Sequence, residues 1–524
     1  MTQNTFVTTD RITSGGTRTS EVFAVRGQRA RWRYPDPYDR LTPEYTRKLA
    51  NMNLSERGTA DTRRGYEKYN AAQLSGSEVV VGLNQTTFPA YGTQRLVVTP
   101  TKVYIDNGSV RQDITASVTW NGGNDDRCRF AFLDKKVFIN NGVDQIVTWT
   151  GDSASPANIA ALTGMPWTKV KDIVVHKGLL IALRPTESGV DLSTMIRWSD
   201  VDRTTHESDT SVWFSTNRTD IYEGGAPIIG GVDNWSRLWV MKEDGVYSGK
   251  VEIAHGRFEY SFINEMRGFE PIAPLSFITR PEFIFGAARE GAFVIRPDES
   301  MEWVTSDNQN EWRSLNQSRL QYAVSWIRES DHQVRTLVSS SGNTSAHDKV
   351  MIWDWETGDL WFDKPSTPMN YAARAVVSNV ELDFFGDKAG YIYQGNGATV
   401  TTDDGNTFEW EIDMSPNDLG MPNLRKHILV IRTYLKQKAG SQTVNLTVEV
   451  DQGKQPVVSA QLFGGTTQEY NSGLQYNSGL RYEGGTNQQL VAFVNRIAEV
   501  VAPRWIGSDA IELVGYDVEW VPLE

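Results

Sequence analysis

The chain has 524 residues, 39% of them apolar and 11% aromatic, with 17 tryptophans and a formal net charge of −13. That supplies a large core and room for two or three domains, while no run approaches the roughly 18–20 apolar residues of a membrane span and the N-terminal MTQNTFVTTDRITSGG has no apolar stretch of secretory type. A single cysteine, Cys128, excludes an intrachain disulfide and a cysteine-rich metal site, and the six histidines include no pair at helical zinc spacing.

Residues 1–75 lack strand alternation and are rich in Thr, Ser, Gly and Arg, which predicts an extended N-terminal arm. Residues 1–70 hold 13 Lys and Arg against 8 Asp and Glu, an excess of 5 positive charges that leaves the remainder at −18, so a basic arm precedes an acidic body. Arg26, Arg29, Arg31 and Arg33 cluster around Trp32 and form a candidate docking arm. Basic and aromatic residues in this pattern suit either nucleic-acid phosphates with base stacking or an acidic protein surface; the acidic body would repel a polyanion, which favours protein docking. Thr42, Pro43 and Glu44 form a helix-start signal, predicting a short helix over residues 45–54.

From residue 78 onward the sequence beats in strand–turn–strand units. Their cores are residues 130–149, 173–183, 235–247, 283–295, 350–362 and 382–393, with an extra first unit at 78–83 and 95–105. Each pairs bulky apolar strands around a turn signal such as Asp134-Lys135, Lys177-Gly178, Thr357-Gly358 or Lys388-Ala389-Gly390. Repeated hairpins that cannot each bury an apolar face alone predict an all-β fold containing a β-propeller of six to eight blades over residues 76–405. A polar stretch at 197–231 is long enough to project from it and carry contacts.

Beyond residue 406 the strands lengthen and alternate cleanly, at 408–412, 427–435, 444–450, 457–463, 490–497 and 511–520, predicting a C-terminal β-sandwich-like domain over 406–524. Inside it lies a duplicated hexamer, YNSGLQ-YNSGLR at 470–481, either a hairpin tip used in assembly or a local duplication in a surface loop.

Propellers host glycosidases, so the carboxylates matter. Residues 401–408 (TTDDGNTF) fit the sialidase Asp-box, a hairpin turn that sits away from catalytic residues, and no second carboxylate is placed at the separation a glycosidase needs. Nucleophile elbows, phosphate-binding Gly loops and a singled-out Ser–His pair are absent from the sequence, which predicts a protein that is not an enzyme and needs no cofactor. Trp239, Trp353, Trp355 and Trp361 suit sugar stacking, but their alternation within strands favours packing. Asp125, Asp126, Asp403 and Asp404 are candidate loop or lumen-facing acids.

Three segments occur in a telling order: Arg197-Trp198-Ser199-Asp200, then residues 224–231 (GGAPIIGG), then 238–247 (LWVMKEDGVY). They continue with 271–276 (PIAPLS) into 283–286 (FIFG) and the hairpin at 291–293, and are preceded by 51–55 (NMNLS) and 63–66 (RRGY). The set, over residues 50–400 with a weaker likeness beyond, resembles the tail nozzle, or tail tubular hub, proteins of short-tailed bacteriophages. The resemblance implies a virion protein forming a homohexameric tube below portal and head-to-tail adaptor. Tailspikes or tail fibres would attach outside, a tail needle is a further partner, and phage DNA passes through without sequence-specific capture. An acidic lumen suits such passage. The alternative is a propeller-type glycan-binding or glycan-hydrolysing tail protein.

Overall fold

The computed structural model describes residues 7–11, 17–23, 26–28, 45–54, 59–116, 118–152, 158–201, 208–222, 224–252, 257–262, 268–395, 397, 400–421, 424–437, 442–450, 453–454, 458–462, 480–481 and 487–523. They form two compact units: Tyr66–Ile352 with Thr367–Gly397, and Met1–Gly65 with Trp353–Ser366 and Ala398–Glu524. No helix among them is long and apolar enough to cross a membrane.

The first unit is a succession of antiparallel sheets. Gly82–Phe88, Gly92–Val98, Val103–Asp106 and Arg111–Asp113 make the first; Arg129–Leu133, Lys136–Asn140, Val147–Trp149 and Ala160–Ala161 the second; and Lys169–His176, Leu179–Glu187, Met195–Trp198 and Arg218–Asp220 the third. Ile228–Asn234, Arg237–Lys242, Gly245–Glu252 and Arg257–Phe262 follow, then Ile278–Arg280, Phe283–Ala287, Ala292–Ile295 and Met301–Trp303. The sixth sheet contributes Val324–Arg328 and Gln333–Val338 to this unit, with Lys349–Asp354 beginning in it. The seventh takes Met369–Val377, Val380–Asp387 and Ile392–Gly395, and its fourth strand, Tyr66–Lys68, comes from far upstream, with Tyr393 opposite Lys68 and Gly395 opposite Tyr66.

The first strand of each sheet touches the first strand of the next, and that of the seventh touches that of the first, so the series closes on itself. The fold is all-β and propeller-like. The turns follow the chemistry of tight hairpins: Asp134 and Lys135 have φ of 48° and 64°, and Lys177 and Gly178 have 48° and 76°, the left-handed pairs a two-residue connection needs. Trp235-Ser236 and Ser378-Asn379 adopt the same geometry without a glycine. Apolar residues fill the spaces between sheets; Phe88, Val98, Ile139 and Trp149, for instance, pack as one buried cluster across the first two.

The second unit contains two large sheets. One orders Val7–Arg11, Thr17–Phe23, Ile511–Pro522, Lys426–Gln437, Asn487–Ala498 and Leu480–Arg481, with Met52–Leu54 and Ala60–Thr62 branching from it. The other orders Arg26–Gln28, Tyr45–Ala50, Trp410–Met414, Val501–Gly507, Gln442–Val450 and Gly453–Lys454, with Val458–Leu462 also on Gln442–Val450. Trp505 of the second donates its indole N–H to Thr433 Oγ1 of the first at 3.0 Å and packs its ring 5.2 Å from Tyr516, so the sheets share a core.

One expectation for residues 1–75 is corrected. Residues 45–54 are not a helix: Tyr45–Ala50 and Met52–Leu54 are strands, because pairing of Tyr45–Ala50 with Trp410–Met414 buries Leu49 and Met52 and overrides a local start signal. Segments of the N-terminal region also pair within the sheets. Thr17–Phe23 pairs with Ile511–Pro522, placing Thr19 opposite Trp520 and Phe23 opposite Tyr516, and Tyr66–Lys68 completes the seventh sheet.

Candidate functional site

Polar side chains near the first strands tie neighbouring sheets together. Arg129 opens the first strand of the second sheet, and its Nε and Nη2 reach Asp172 Oδ1 and Oδ2 at 2.9 and 3.2 Å; Nη2 also donates to the Pro274 carbonyl. Asp172, buried in the first strand of the third sheet, also accepts the backbone N–H groups of Ile173 at 2.9 Å and Gly231 at 3.1 Å. One carboxylate thus ties the second, third and fourth sheets to the segment leading into the fifth. A Cβ on Gly230 would stand 2.8 Å from Asp172 Oδ2, so this approach requires glycine.

A second cluster gathers the segments leading into the second, sixth and seventh sheets. Arg127 Nη2 donates to Asn370 Oδ1 at 2.8 Å and Nη1 to the Tyr322 carbonyl. Arg319 reaches Asp125 Oδ1 at 2.9 Å and the Thr344 carbonyl at 3.2 Å. Both guanidinium groups lie over the Tyr322 ring, 5.3 and 4.8 Å from its centroid. His347 Nε2 is 3.0 Å from the Tyr322 carbonyl and Nδ1 is 2.9 Å from Ser339 Oγ. Burial, then Arg127 and Arg319, hold His347 well below the usual imidazole range, so the neutral ring donates from Nε2 and accepts at Nδ1. Burial, with Arg319 next, pulls Arg127 down to about 9. Tyr371 adds a further tie across the ring, its hydroxyl donating to the Cys128 carbonyl at 2.7 Å, while Cys128 itself is fully buried.

The second unit has its own hub. Arg63 grips Asp403 with two hydrogen bonds, at 2.8 and 2.6 Å, and both side chains are buried. Asp403 Oδ2 also accepts the Ser366 N–H and hydroxyl at 2.9 and 3.0 Å, Arg63 Nε donates to Asn51 Oδ1 at 2.9 Å, and the Phe408 ring lies 3.8 Å from the guanidinium carbon.

Of the candidate acids, Asp403 lies in a turn and is 0% exposed, held inside by Arg63 and the Ser366 donors. Asp403 and Asn406 exchange backbone hydrogen bonds at 2.8 and 2.9 Å, and Asp404 and Gly405 between them have φ of 50° and 83°, the tight turn of the Asp-box pattern. Asp125 is committed to Arg319, and Asp126 Oδ2 accepts the Gly123 N–H at 2.6 Å. Arg26 lies in the strand Arg26–Gln28, whereas Arg29, Arg31, Trp32 and Arg33 lie outside the described residues, as does most of the duplicated hexamer. Trp239, Trp353 and Trp361 are buried. Among the described residues no three His, Cys, Asp or Glu side chains gather as a metal-binding set.

Sequence reasoning did not find Arg127, Arg129, Asp172 or Arg319. The Gly230-Gly231 pair was the available signal, since glycine within an apolar strand marks a close approach.

No family profile matches the chain, and no curated protein matches it in sequence. Among solved structures, the WD40 domain of Pan2 from Neurospora crassa is similar, with 8% identity, a TM-score of 0.39, and coverage of 66% of this chain and 98% of that one. A likeness of this degree speaks to no activity, ligand or partner.

Proposed function

We propose that this chain is a structural virion protein, the tail nozzle of a short-tailed bacteriophage, built as a seven-bladed propeller with a two-sheet, sandwich-like platform and assembled as a hexamer below portal and adaptor. The observation that carries the reading is the ordered set of segments resembling nozzle proteins. Its central members supply Trp198 and the strands Ile228–Asn234 and Arg237–Lys242 of the third and fourth sheets, with Gly231 bonded to the Asp172 bridge.

Bridges between sheets at the heads of the inner strands support a solid building block rather than an open ring. On this reading the DNA conduit lies between copies, formed by one heterologous contact repeated around an axis, with spikes or fibres docked outside. Trp239, Trp353 and Trp361 are buried in packing positions and do not serve the glycan-binding alternative as sugar platforms, whereas Trp355 is half-buried.

Mass photometry of the purified protein, alone and mixed with its phage's adaptor, tests this. Six-fold assemblies, or six copies added to an adaptor ring, are expected; a strictly monomeric protein that ignores the adaptor and binds or cleaves host polysaccharide would overturn it.

A further inference from the structure

One carbonyl oxygen gathers three sheets of the ring. Tyr322 O, just ahead of the sixth sheet's first strand, accepts from Arg127 Nη1 on the segment leading into the second sheet and from His347 Nε2 at 3.0 Å. His347 also exchanges backbone hydrogen bonds with Met369, the first residue of the seventh sheet, at 2.7 Å each way. Its ring is fully buried, and the guanidinium groups of Arg127 and Arg319 lie over the Tyr322 ring. Asp125 is bound to Arg319, and Asp348, next in the chain, accepts the Ser340 N–H and hydroxyl at 2.7 and 2.5 Å. The hydrogen bonds around the imidazole are one proton short. Ser339 Oγ stands 2.8 Å from the Ala346 carbonyl oxygen and 2.9 Å from His347 Nδ1, and its single proton serves only one of them. While the imidazole is neutral its own proton sits on Nε2, because the Tyr322 carbonyl can only accept; the hydroxyl then turns to Nδ1 and the Ala346 carbonyl loses that donor. A proton on Nδ1 completes the chain, from His347 to Ser339 to Ala346. Burial opposes that proton, followed by Arg127 and Arg319, with Lys388 a weaker contributor.

We propose that His347 and Ser339 form an acid-operated latch on the Tyr322 junction. With a neutral imidazole the latch is closed. A proton arriving on Nδ1 turns the Ser339 hydroxyl toward Ala346 and sets a buried imidazolium against the guanidinium of Arg127, which shares the Tyr322 oxygen with it. Like charges that share one acceptor out of water repel, so the ties of Tyr322 to Arg127 and of His347 to Met369 give way ahead of the other sheets. The imidazole of an opened junction takes up a proton near the usual 6.5, and the closed one only well below it. Opening therefore becomes up to about tenfold easier for each pH unit below that range. All these groups belong to the ring of a single copy, so the latch stands independently of the nozzle reading.

Hydrogen-exchange mass spectrometry of the full chain from about pH 7.5 to 5, corrected for the intrinsic pH dependence of exchange, tests the latch. Peptides holding Tyr322, His347 and Met369 are expected to lose protection by up to about tenfold per pH unit below about 6.5, while peptides from the fifth sheet, such as Phe283–Ala287, stay protected at the same pH. In His347→Asn the junction peptides should show no such slope. Equal protection of the junction at pH 7 and 5 in the parent chain overturns the latch, and that comparison needs no variant to fold. A slope that persists in His347→Asn also overturns it, as does a loss of protection that runs through all the ring's sheets together, which would make the response a global unfolding.

Discussion

The two units are held together in opposite ways. In the ring, strands adjacent in a sheet are nearly always adjacent in the chain, and Tyr66–Lys68 is the exception that closes the series. In the two-sheet unit, neighbours come from opposite ends of the sequence, as with Thr19 opposite Trp520 or Leu49 opposite Ile412. Their polar hubs differ as well: Arg63 and Asp403 neutralise each other, whereas the ring's cluster carries more cations than it pairs. Local pairing lets each ring sheet form as its hairpins are made, while non-local pairing delays the other unit until both ends of the chain are present.

Removing residues 1–28 should give the largest effect. It strips Ile511–Pro522 of its Thr17–Phe23 neighbour and removes Phe23, whose ring packs 5.2 Å from Tyr516. Scanning calorimetry is expected to show the two-sheet unit's transition lost or strongly lowered and the ring's retained; two unchanged transitions would mean that the N-terminal strands contribute nothing. Next in size is Asp403→Ala, which leaves Arg63 buried without its anion and should cost about 3–5 kcal/mol, read from urea unfolding as an early loss of the same unit. Charge reversal at Asp403 is therefore a test of folding and not of a conduit.

The ring responds to acid through His347. The unfolded imidazole takes up a proton near its usual 6.5 while the folded one does not, so ring stability is complete above that range and falls as pH drops through it, by up to about 1.4 kcal/mol per pH unit. Melting temperatures from pH 7 to 5 should show a shallower slope in His347→Asn than in the parent chain; parallel slopes would assign the acid response elsewhere. The smallest effect is expected from Gly405→Ala. A φ of 83° costs a side chain about 1–2 kcal/mol, and a midpoint shift of that size confined to the two-sheet unit is the expected reading.

What could be read in the sequence followed the same division. Asp134-Lys135 and Lys177-Gly178 declared their hairpins because turn chemistry and flanking apolar strands lie within a dozen residues of each other. Tyr45–Ala50 gave no such sign: its partner Trp410–Met414 lies hundreds of residues away, and Thr42-Pro43-Glu44 offered a local signal for the wrong element. Three-residue Tyr66–Lys68 is too short for periodicity to detect. The Asp-box turn was legible at Asp403, but its bond to Arg63 was not, because a salt bridge leaves no spacing in a sequence. The cluster of Arg127, Arg319 and His347 escaped for the same reason.

The central claim concerns assembly, and copy number in the particle tests it most directly. Quantitative mass spectrometry of purified virions, normalised to the portal ring, should return six copies of this chain per particle at the tail. A single copy, a trimeric stoichiometry, or its absence from the virion would contradict the account.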